Sequence, residues 1–97
     1  MKKIKGTWLC DIEVYPDLFF VGIKDFKNKK VFSYEVSERK DERDKLFKDL
    51  TSFSGFFVSF NGLHYDEVVL LYFIKNYKSL LKDCSLSEFF YFIKDVS

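Results

Sequence analysis

Two acidic residues, Asp11 and Glu13, stand two positions apart at the end of an apolar run that includes Trp8. In a β-strand, side chains at positions i and i+2 point to the same side, about 6 to 7 Å apart along the strand. Two carboxylates on one side of a buried strand repel each other unless a cation or a basic group lies between them. The pair is therefore a candidate metal site.

A second group of polar residues follows a later apolar run, residues 55–60. Asn61 and Asp66 come after this run, where a strand would turn into a long apolar helix. If the two apolar runs pair as neighbouring strands, Asn61 and Asp66 come next to the carboxyl end of the first strand. Three carboxylates, those of Asp11, Glu13 and Asp66, and the amide of Asn61 would then converge on one spot.

Such a cluster of oxygen ligands suits Mg²⁺ or Mn²⁺ and two-metal phosphodiester hydrolysis. Hard cations prefer oxygen, keep several waters, and in pairs about 3.5 to 4 Å apart activate a water and stabilise the leaving oxygen. Neither a histidine nor a thiolate ligand is required. We assign His64, the only histidine, to a loop or a capping role in preference to catalysis.

Three further residues are candidates for contact with a nucleic acid. Asn61 has two alternative roles, since its amide can donate to a phosphate or hold the loop. Phe60 and Tyr65 are placed to stack on a base, an interaction worth about 1 to 3 kcal/mol per base.

The first third of the chain predicts a three-stranded antiparallel meander. Strands are expected over residues 7–14, 18–26 and 31–36, with Pro16 in the first turn and a polar loop before the third strand. The third strand alternates between an aromatic side and a polar side, which is typical of a half-buried strand.

Helices and one more strand follow the meander. Ser37 is expected to cap a surface helix whose buried stripe consists of Leu46, Phe47, Leu50 and Phe53. Residues 55–60 are continuously apolar and predict a strand that is buried on both faces beside the first strand. Residues 65–77 predict a helix that is apolar almost all round, and residues 86–95 a last helix with a capping box from Ser85 to Glu88.

Length and composition indicate a single α/β (α+β) domain over residues 1–97, with the element order βββαβαα. The net charge is +1, so no global field attracts the protein to nucleic acid or to an anionic membrane. The apolar stretch after the N-terminus is interrupted by acidic residues, which excludes a signal peptide and a membrane span there. Two unpatterned cysteines, Cys10 and Cys84, favour free thiols in a reducing cytoplasm.

These motifs resemble the 3′ to 5′ proofreading exonuclease domains of the DnaQ-like (DEDD) superfamily, especially those of bacteriophage-type family B DNA polymerases. Residues 11–13, Asp-Ile-Glu, are similar to their first motif, and residues 60–66, Phe-Asn-Gly-Leu-His-Tyr-Asp, to their second. The resemblance implies a ribonuclease-H-like fold. It also implies Asp11, Glu13 and Asp66 as catalytic metal ligands for Mg²⁺ or Mn²⁺, and Asn61 as a contact to the 3′ end of single-stranded DNA.

The family's third motif, a Tyr or His followed by a last metal-binding Asp on a later helix, has no counterpart in these 97 residues. We therefore expect an incomplete exonuclease-like domain, which needs missing elements or a partner for activity. The alternative is a small phage-type protein, cytoplasmic in a bacterial host, that uses the same scaffold as a non-catalytic protein-binding module or inhibitor. Either way, a protein partner or a second copy is expected to cover the incomplete edge of the fold.

Overall fold

The computed structural model describes residues 4–27, 29–59 and 65–96 of the chain. Over these residues the elements follow the predicted order βββαβαα. Between the last two helices lies a π-helical turn, Tyr77–Leu81. The strands and helices are β1 (Ile4–Tyr15), β2 (Leu18–Asp25), β3 (Val31–Val36), α1 (Arg43–Ser52), β4 (Phe53–Ser59), α2 (Tyr65–Asn76) and α3 (Leu86–Val96).

The four strands form one mixed sheet with the order β3-β2-β1-β4. β1 pairs with β2 and β2 with β3 in antiparallel fashion, whereas β4 runs parallel to β1. The predicted meander is confirmed, and so is the fourth strand beside the first. The chain is thus a mixed α/β protein in which α1 carries the backbone from one edge of the sheet to the other.

One face of the sheet carries the hydrophobic core. On β1, Trp8, Cys10 and Ile12 are buried, and they alternate with residues that are not. Aromatic contacts join this face to the helices, because the Phe19 ring lies 5.5 Å from Phe89 and 6.4 Å from Phe73 between ring centroids. The helices contribute Leu46, Leu50, Val69, Leu70, Phe73, Phe89 and Ile93 to the same core.

The opposite face of the sheet, called the open face below, carries no buried residue in the described part of the chain. The strand alternation places Leu9, Asp11 and Glu13 of β1 on it, together with Phe20 and Gly22 of β2. The sheet is therefore covered by described helices on one side only, and the acidic pair lies on the other side.

α1 begins later than the sequence pattern indicates, and Ser37 does not cap it. The helix starts at Arg43 because the preceding residues fold back on β3 as a compact loop. The Ser37 backbone N–H donates to the Lys40 carbonyl at 2.6 Å, and the Ser37 hydroxyl donates to the Glu35 carboxylate at 2.7 Å. The Glu42 N–H donates to the Glu35 carbonyl at 3.0 Å, which fixes the loop along the edge of β3.

β4 differs from its prediction in two residues, Phe53 and Val58. Phe53, expected in the helical stripe, is the first residue of the strand, where its ring stacks on Trp8 at 4.3 Å between centroids. The prediction that this strand is buried on both faces is wrong, because the Val58 side chain is 46% exposed. In the described part of the chain β4 pairs with β1 alone, so it forms an edge of the sheet.

α2 packs on the sheet through one side, and its other side is apolar but exposed. Val69, Leu70 and Phe73 are buried, whereas Val68 is 48% and Leu71 59% exposed. The helix is apolar almost all round, as predicted, but in the described structure only one of its apolar sides is buried.

The predicted capping box at the start of α3 is confirmed. The Glu88 N–H donates to the Ser85 hydroxyl at 3.1 Å, and the Ser85 N–H donates to the Glu88 carboxylate at 3.0 Å. Over the described residues, the helices are all too short or too polar to cross a membrane.

Candidate functional site

Asp11 and Glu13 lie on the open face of the sheet, as their two-residue spacing predicts. They alternate along β1 with Cys10 and Ile12, which are both buried against the helices. Asp11 is partly buried and Glu13 is exposed. The Tyr15 hydroxyl approaches Glu13 from the same side and donates to its Oε2 atom at 3.4 Å. The acidic pair is thus accessible to a ligand that approaches the open face.

The sequence pattern ends the first strand at residue 14, which places Tyr15 in the following turn without a role. The structure extends β1 to Tyr15, which puts its ring on the same side as both carboxylates. The period of two that groups Asp11 with Glu13 also includes Tyr15, so this signal was present in the sequence. Pro16 obscured it, because a proline directly after Tyr15 indicated that the strand ends earlier.

The strand next to the acidic pair supplies an aromatic ring and a gap. Gly22 lies opposite Asp11 and Phe20 lies opposite Glu13 in the antiparallel pairing of β1 and β2. A methyl group added to Gly22 would lie 3.4 Å from the Phe20 ring and 3.8 Å from the Asp11 carbonyl oxygen. The Phe20 ring therefore borders the space in front of Gly22, beside the carboxylates.

The sequence did not single out Phe20, because residues 18–21 are apolar on both sides of the strand. Such a run predicts a strand but gives no alternation from which to assign a face. Only the pairing with β1 shows that Phe19 faces the core and that Phe20, half-buried, faces the acidic pair.

The end of β4 lies beside the acidic pair. In the parallel pairing, Ser59 is opposite Cys10, the residue that precedes Asp11. This is the arrangement on which the predicted convergence of the two motifs depends. The remaining second-motif predictions, Phe60, Asn61 and the adjacent His64, lie outside the described residues. Tyr65 begins α2, and its side chain is likewise not described.

Asp66 lies in the first turn of α2 and is 1% exposed. Its carboxylate interacts with the Cys10 thiol, whose pKa is raised to about 12, first by burial and second by the negative charge of Asp66. Because Cys10 faces the core, Asp66 approaches β1 from the helix-covered side. A carboxylate in this position is favoured by the N-terminal end of the helix dipole.

The described structure brings Asp11 and Glu13 together and gives Asp66 a buried place close to Cys10. Within the described residues, no group of three or more His, Cys, Asp or Glu side chains is arranged to hold a metal ion. Two carboxylates on one accessible side of a strand still fit Mg²⁺, which is commonly held by one or two carboxylates with waters and substrate phosphates. Binding of a divalent metal ion by Asp11 and Glu13 therefore remains a prediction.

The two cysteines are free thiols, as the sequence indicates. Cys10 is buried in the core, whereas Cys84 is partly exposed in the connection before α3. The pKa of the Cys84 thiol is also raised, chiefly by burial. Neither cysteine has the environment of an activated thiolate, because both shifts favour the protonated form.

The fold and the acidic pair together define a small mixed α/β protein with one open sheet face that carries two carboxylates. Comparison of the chain with protein-family models, with curated proteins and with solved structures gave no match.

Proposed function

We propose that this chain is part of a metal-dependent 3′ to 5′ exonuclease of the DnaQ-like, proofreading type, acting on the 3′ end of single-stranded DNA. The observation that supports it best is the register of β1 with β4, in which Ser59 lies opposite Cys10. That register brings the strand leading into the second motif to the side of Asp11 and Glu13. A parallel β1–β4 pair is what convergence of the two motifs requires.

In this proposal Asp11 and Glu13 bind one Mg²⁺ or Mn²⁺ ion from the open face. Waters and a phosphate oxygen of the DNA complete its ligand set, as is usual for magnesium. Held by Asp11 and Glu13, such an ion would supply polarisation of the phosphoryl group and activation of a water. The resemblance implies Asn61 as a contact to the strand and Asp66 as a third carboxylate. Because Asp66 is buried on the helix-covered side of β1, the ion on the open face is bound by Asp11 and Glu13 without it.

Phe20 adds a surface for a base to this proposal. Its half-buried ring lies on the same face as the carboxylates and borders the gap at Gly22. A base can stack on an aromatic ring regardless of its identity, which suits an enzyme that degrades any sequence. Phe60 and Tyr65 remain the stacking candidates that the second motif supplies.

Catalysis by this arrangement requires a further acidic residue at a third-motif position, which residues 1–97 do not supply. We assign that residue to additional structural elements or to a partner protein. The 97 residues by themselves are accordingly expected to bind metal and DNA more readily than they cleave.

A metal titration tests the proposal directly. Millimolar Mn²⁺ or Mg²⁺ is expected to raise the melting temperature of the wild-type chain and to support its binding to 3′-labelled single-stranded DNA. Asp11→Asn and Glu13→Gln should abolish the thermal shift. Asp17→Asn is the matched control, because Asp17 is an exposed acid in the neighbouring β1–β2 turn. If the wild-type chain shows neither a metal-induced shift nor metal-dependent DNA binding, the proposal is wrong.

A second candidate function is a non-catalytic protein-binding module, or inhibitor, built on the same scaffold. It is favoured by the exposed apolar side of α2, where Val68 and Leu71 are about half exposed. This function predicts that Asp11→Asn leaves every measurable interaction unchanged, whereas Leu71→Lys removes binding to a protein partner.

A further inference from the structure

The two edges of the sheet are built differently. At the β3 edge, the Glu35 carbonyl accepts from the Glu42 N–H at 3.0 Å, and the Glu35 N–H donates to the Glu42 carboxylate at 3.0 Å. A bridge between Val36 and Asp41 continues this cover. The loop after β3 thus occupies hydrogen-bonding groups that another strand would need.

Within the described part of the chain β4 pairs with no strand beyond β1, and two common protections of an edge strand are absent from it. Its sequence, Phe-Ser-Gly-Phe-Phe-Val-Ser, contains neither a charged residue nor a proline, and Val58 is 46% exposed. Edge strands are normally protected by charges, prolines, bulges or covering segments, because their free backbone groups pair readily with another strand. An uncharged apolar edge is therefore a surface for strand addition.

We propose that β4 pairs in antiparallel orientation with β4 of a second copy of this chain, joining two four-stranded sheets into one continuous sheet. The argument for a second copy is charge compatibility. A strand that pairs with itself across a two-fold axis sets its own residues opposite each other, so a charged strand would oppose like charges. β4 carries no charge from Phe53 to Ser59, and no antiparallel register opposes like charges.

The geometry of the open face supports the same pairing. Val58 lies beside Leu9 of β1 in the parallel register, and both residues belong to the open face. Pairing through β4 brings the apolar Leu9–Val58 strip of one copy toward that of the other. Asp11 and Glu13 are on β1, one strand inward, and remain accessible. The inference therefore does not rest on the proposed nuclease function, and either can fail alone.

Two edge-strand valines provide a matched test. Val58 on β4 and Val31 on β3 are both exposed, at 46% and 63%. The wild-type chain and Val31→Lys are expected to sediment as dimers over a micromolar concentration range, whereas Val58→Lys dimerises at least tenfold more weakly. A wild-type chain that remains monomeric throughout that range, or a Val58→Lys variant that dimerises as tightly as wild type, overturns the proposal.

Hydrogen exchange gives a readout that needs no substitution. In the wild-type chain, amides of residues 53–59 should exchange more slowly as the protein concentration rises, while those of residues 31–36 are unaffected. This measurement decides the matter if Val58→Lys does not fold. Exchange of the β4 amides that is independent of concentration contradicts pairing through this edge.

Discussion

Gly22 on β2 lies directly opposite Asp11 on β1, so the strand beside the acidic pair has no side chain at that position. The gap is bordered by Phe20, whose ring would lie 3.4 Å from a Cβ atom at Gly22. That distance is an ordinary van der Waals contact. The glycine is therefore not required by crowding, and its absence of a side chain keeps the space beside Asp11 open.

Substitution of Gly22 by alanine is expected to stabilise the protein. Glycine in a strand loses more conformational entropy on folding than alanine does, by about 0.5 to 1 kcal/mol, and the added methyl group fits without a clash. Urea denaturation should show a higher free energy of unfolding for Gly22→Ala. A lower value would show that the open face is more tightly packed around Gly22 than the structure indicates.

Phe20→Ala is expected to weaken binding of single-stranded DNA if the proposed function is correct. Loss of one stacking platform costs about 1 to 3 kcal/mol, which is roughly a 5- to 150-fold change in affinity. Fluorescence anisotropy with a labelled oligothymidine in Mn²⁺ measures it. Phe26→Ala is the control, because Phe26 is an exposed phenylalanine beyond the end of β2. Equal losses in both variants would contradict a specific role for Phe20.

Arg43 is expected to be intolerant of lysine. Its Nη1 atom donates at 2.9 Å to the carbonyls of Leu81 and Cys84, and its Nη2 atom donates at 2.8 Å to Asp41. A lysine ammonium lacks the planar fork that makes these bonds together, so at least one carbonyl loses its partner. Arg43→Lys should lower the free energy of unfolding by about 1 to 3 kcal/mol.

The control for that variant is Arg39→Lys, measured by the same thermal and urea denaturation. Arg39 also pairs with a carboxylate, at 2.8 Å from Glu35, but its side chain is 82% exposed. An exposed pair contributes little, so its change should stay within about 0.5 kcal/mol. If both variants lose the same free energy of unfolding, the hydrogen bonds from Arg43 to the carbonyls of Leu81 and Cys84 do not contribute the expected stability.

The two thiols are expected to react at different rates. Cys84 is partly exposed, whereas Cys10 is buried and its pKa is raised to about 12. Iodoacetamide at pH 8, followed by peptide mass spectrometry, should label Cys84 first, and Cys10 only at the rate of opening of β1. Rapid labelling of Cys10 in a folded Cys84→Ser variant would contradict its position in the core.

The raised pKa of Cys10 also predicts a loss of stability in alkali. The folded state keeps the thiol protonated, while the unfolded chain releases the proton near pH 9.0. Because the unfolded state binds fewer protons above that pH, stability falls as the pH rises from about 9 toward 12. Replacing Cys10 by alanine should make this part of the pH profile flatter, whatever its effect at pH 7.

The stability of the protein at acid pH is expected to depend on the ionised carboxylate of Glu35. The Arg39 and Ser37 side chains hydrogen-bond its carboxylate and lower its pKa from 4.5 to about 2. A lowered pKa means that the stabilisation is present above pH 4.5 and is lost as the pH falls toward 2. Glu35→Gln is expected to weaken the acid dependence of melting temperature over that interval. An unchanged acid profile would show that the loop after β3 does not depend on this charge.

The alternation of apolar and polar residues along the sequence predicted the features that depend on one strand alone. β3 was predicted with its correct bounds, because its aromatic and polar residues alternate without interruption. The side-by-side placement of Asp11 and Glu13 follows from the same period. The start of α1 could not be predicted, since Ser37 is used in the loop along β3 rather than as a cap.

Features that depend on the packing of neighbouring strands and helices were harder to predict from the sequence. The apolar run that contains Val58 is compatible with either one or two neighbouring strands, and only the sheet order decides between them. The buried position of Asp66 near Cys10 depends on how α2 docks against β1. The sequence contains both residues but no pattern that joins them across the core.

The path of α1 has a consequence for how the chain folds. The hairpins of β1, β2 and β3 join residues close in sequence, such as Tyr15 and Leu18, whereas β4 must find β1 across a long loop that sets Ile4 opposite Phe53. Closing a long loop has a larger entropic cost and slows the contacts that depend on it. We therefore expect the meander to form early and β4 to dock late, so that the uncharged strand stays exposed during the slowest stage of folding.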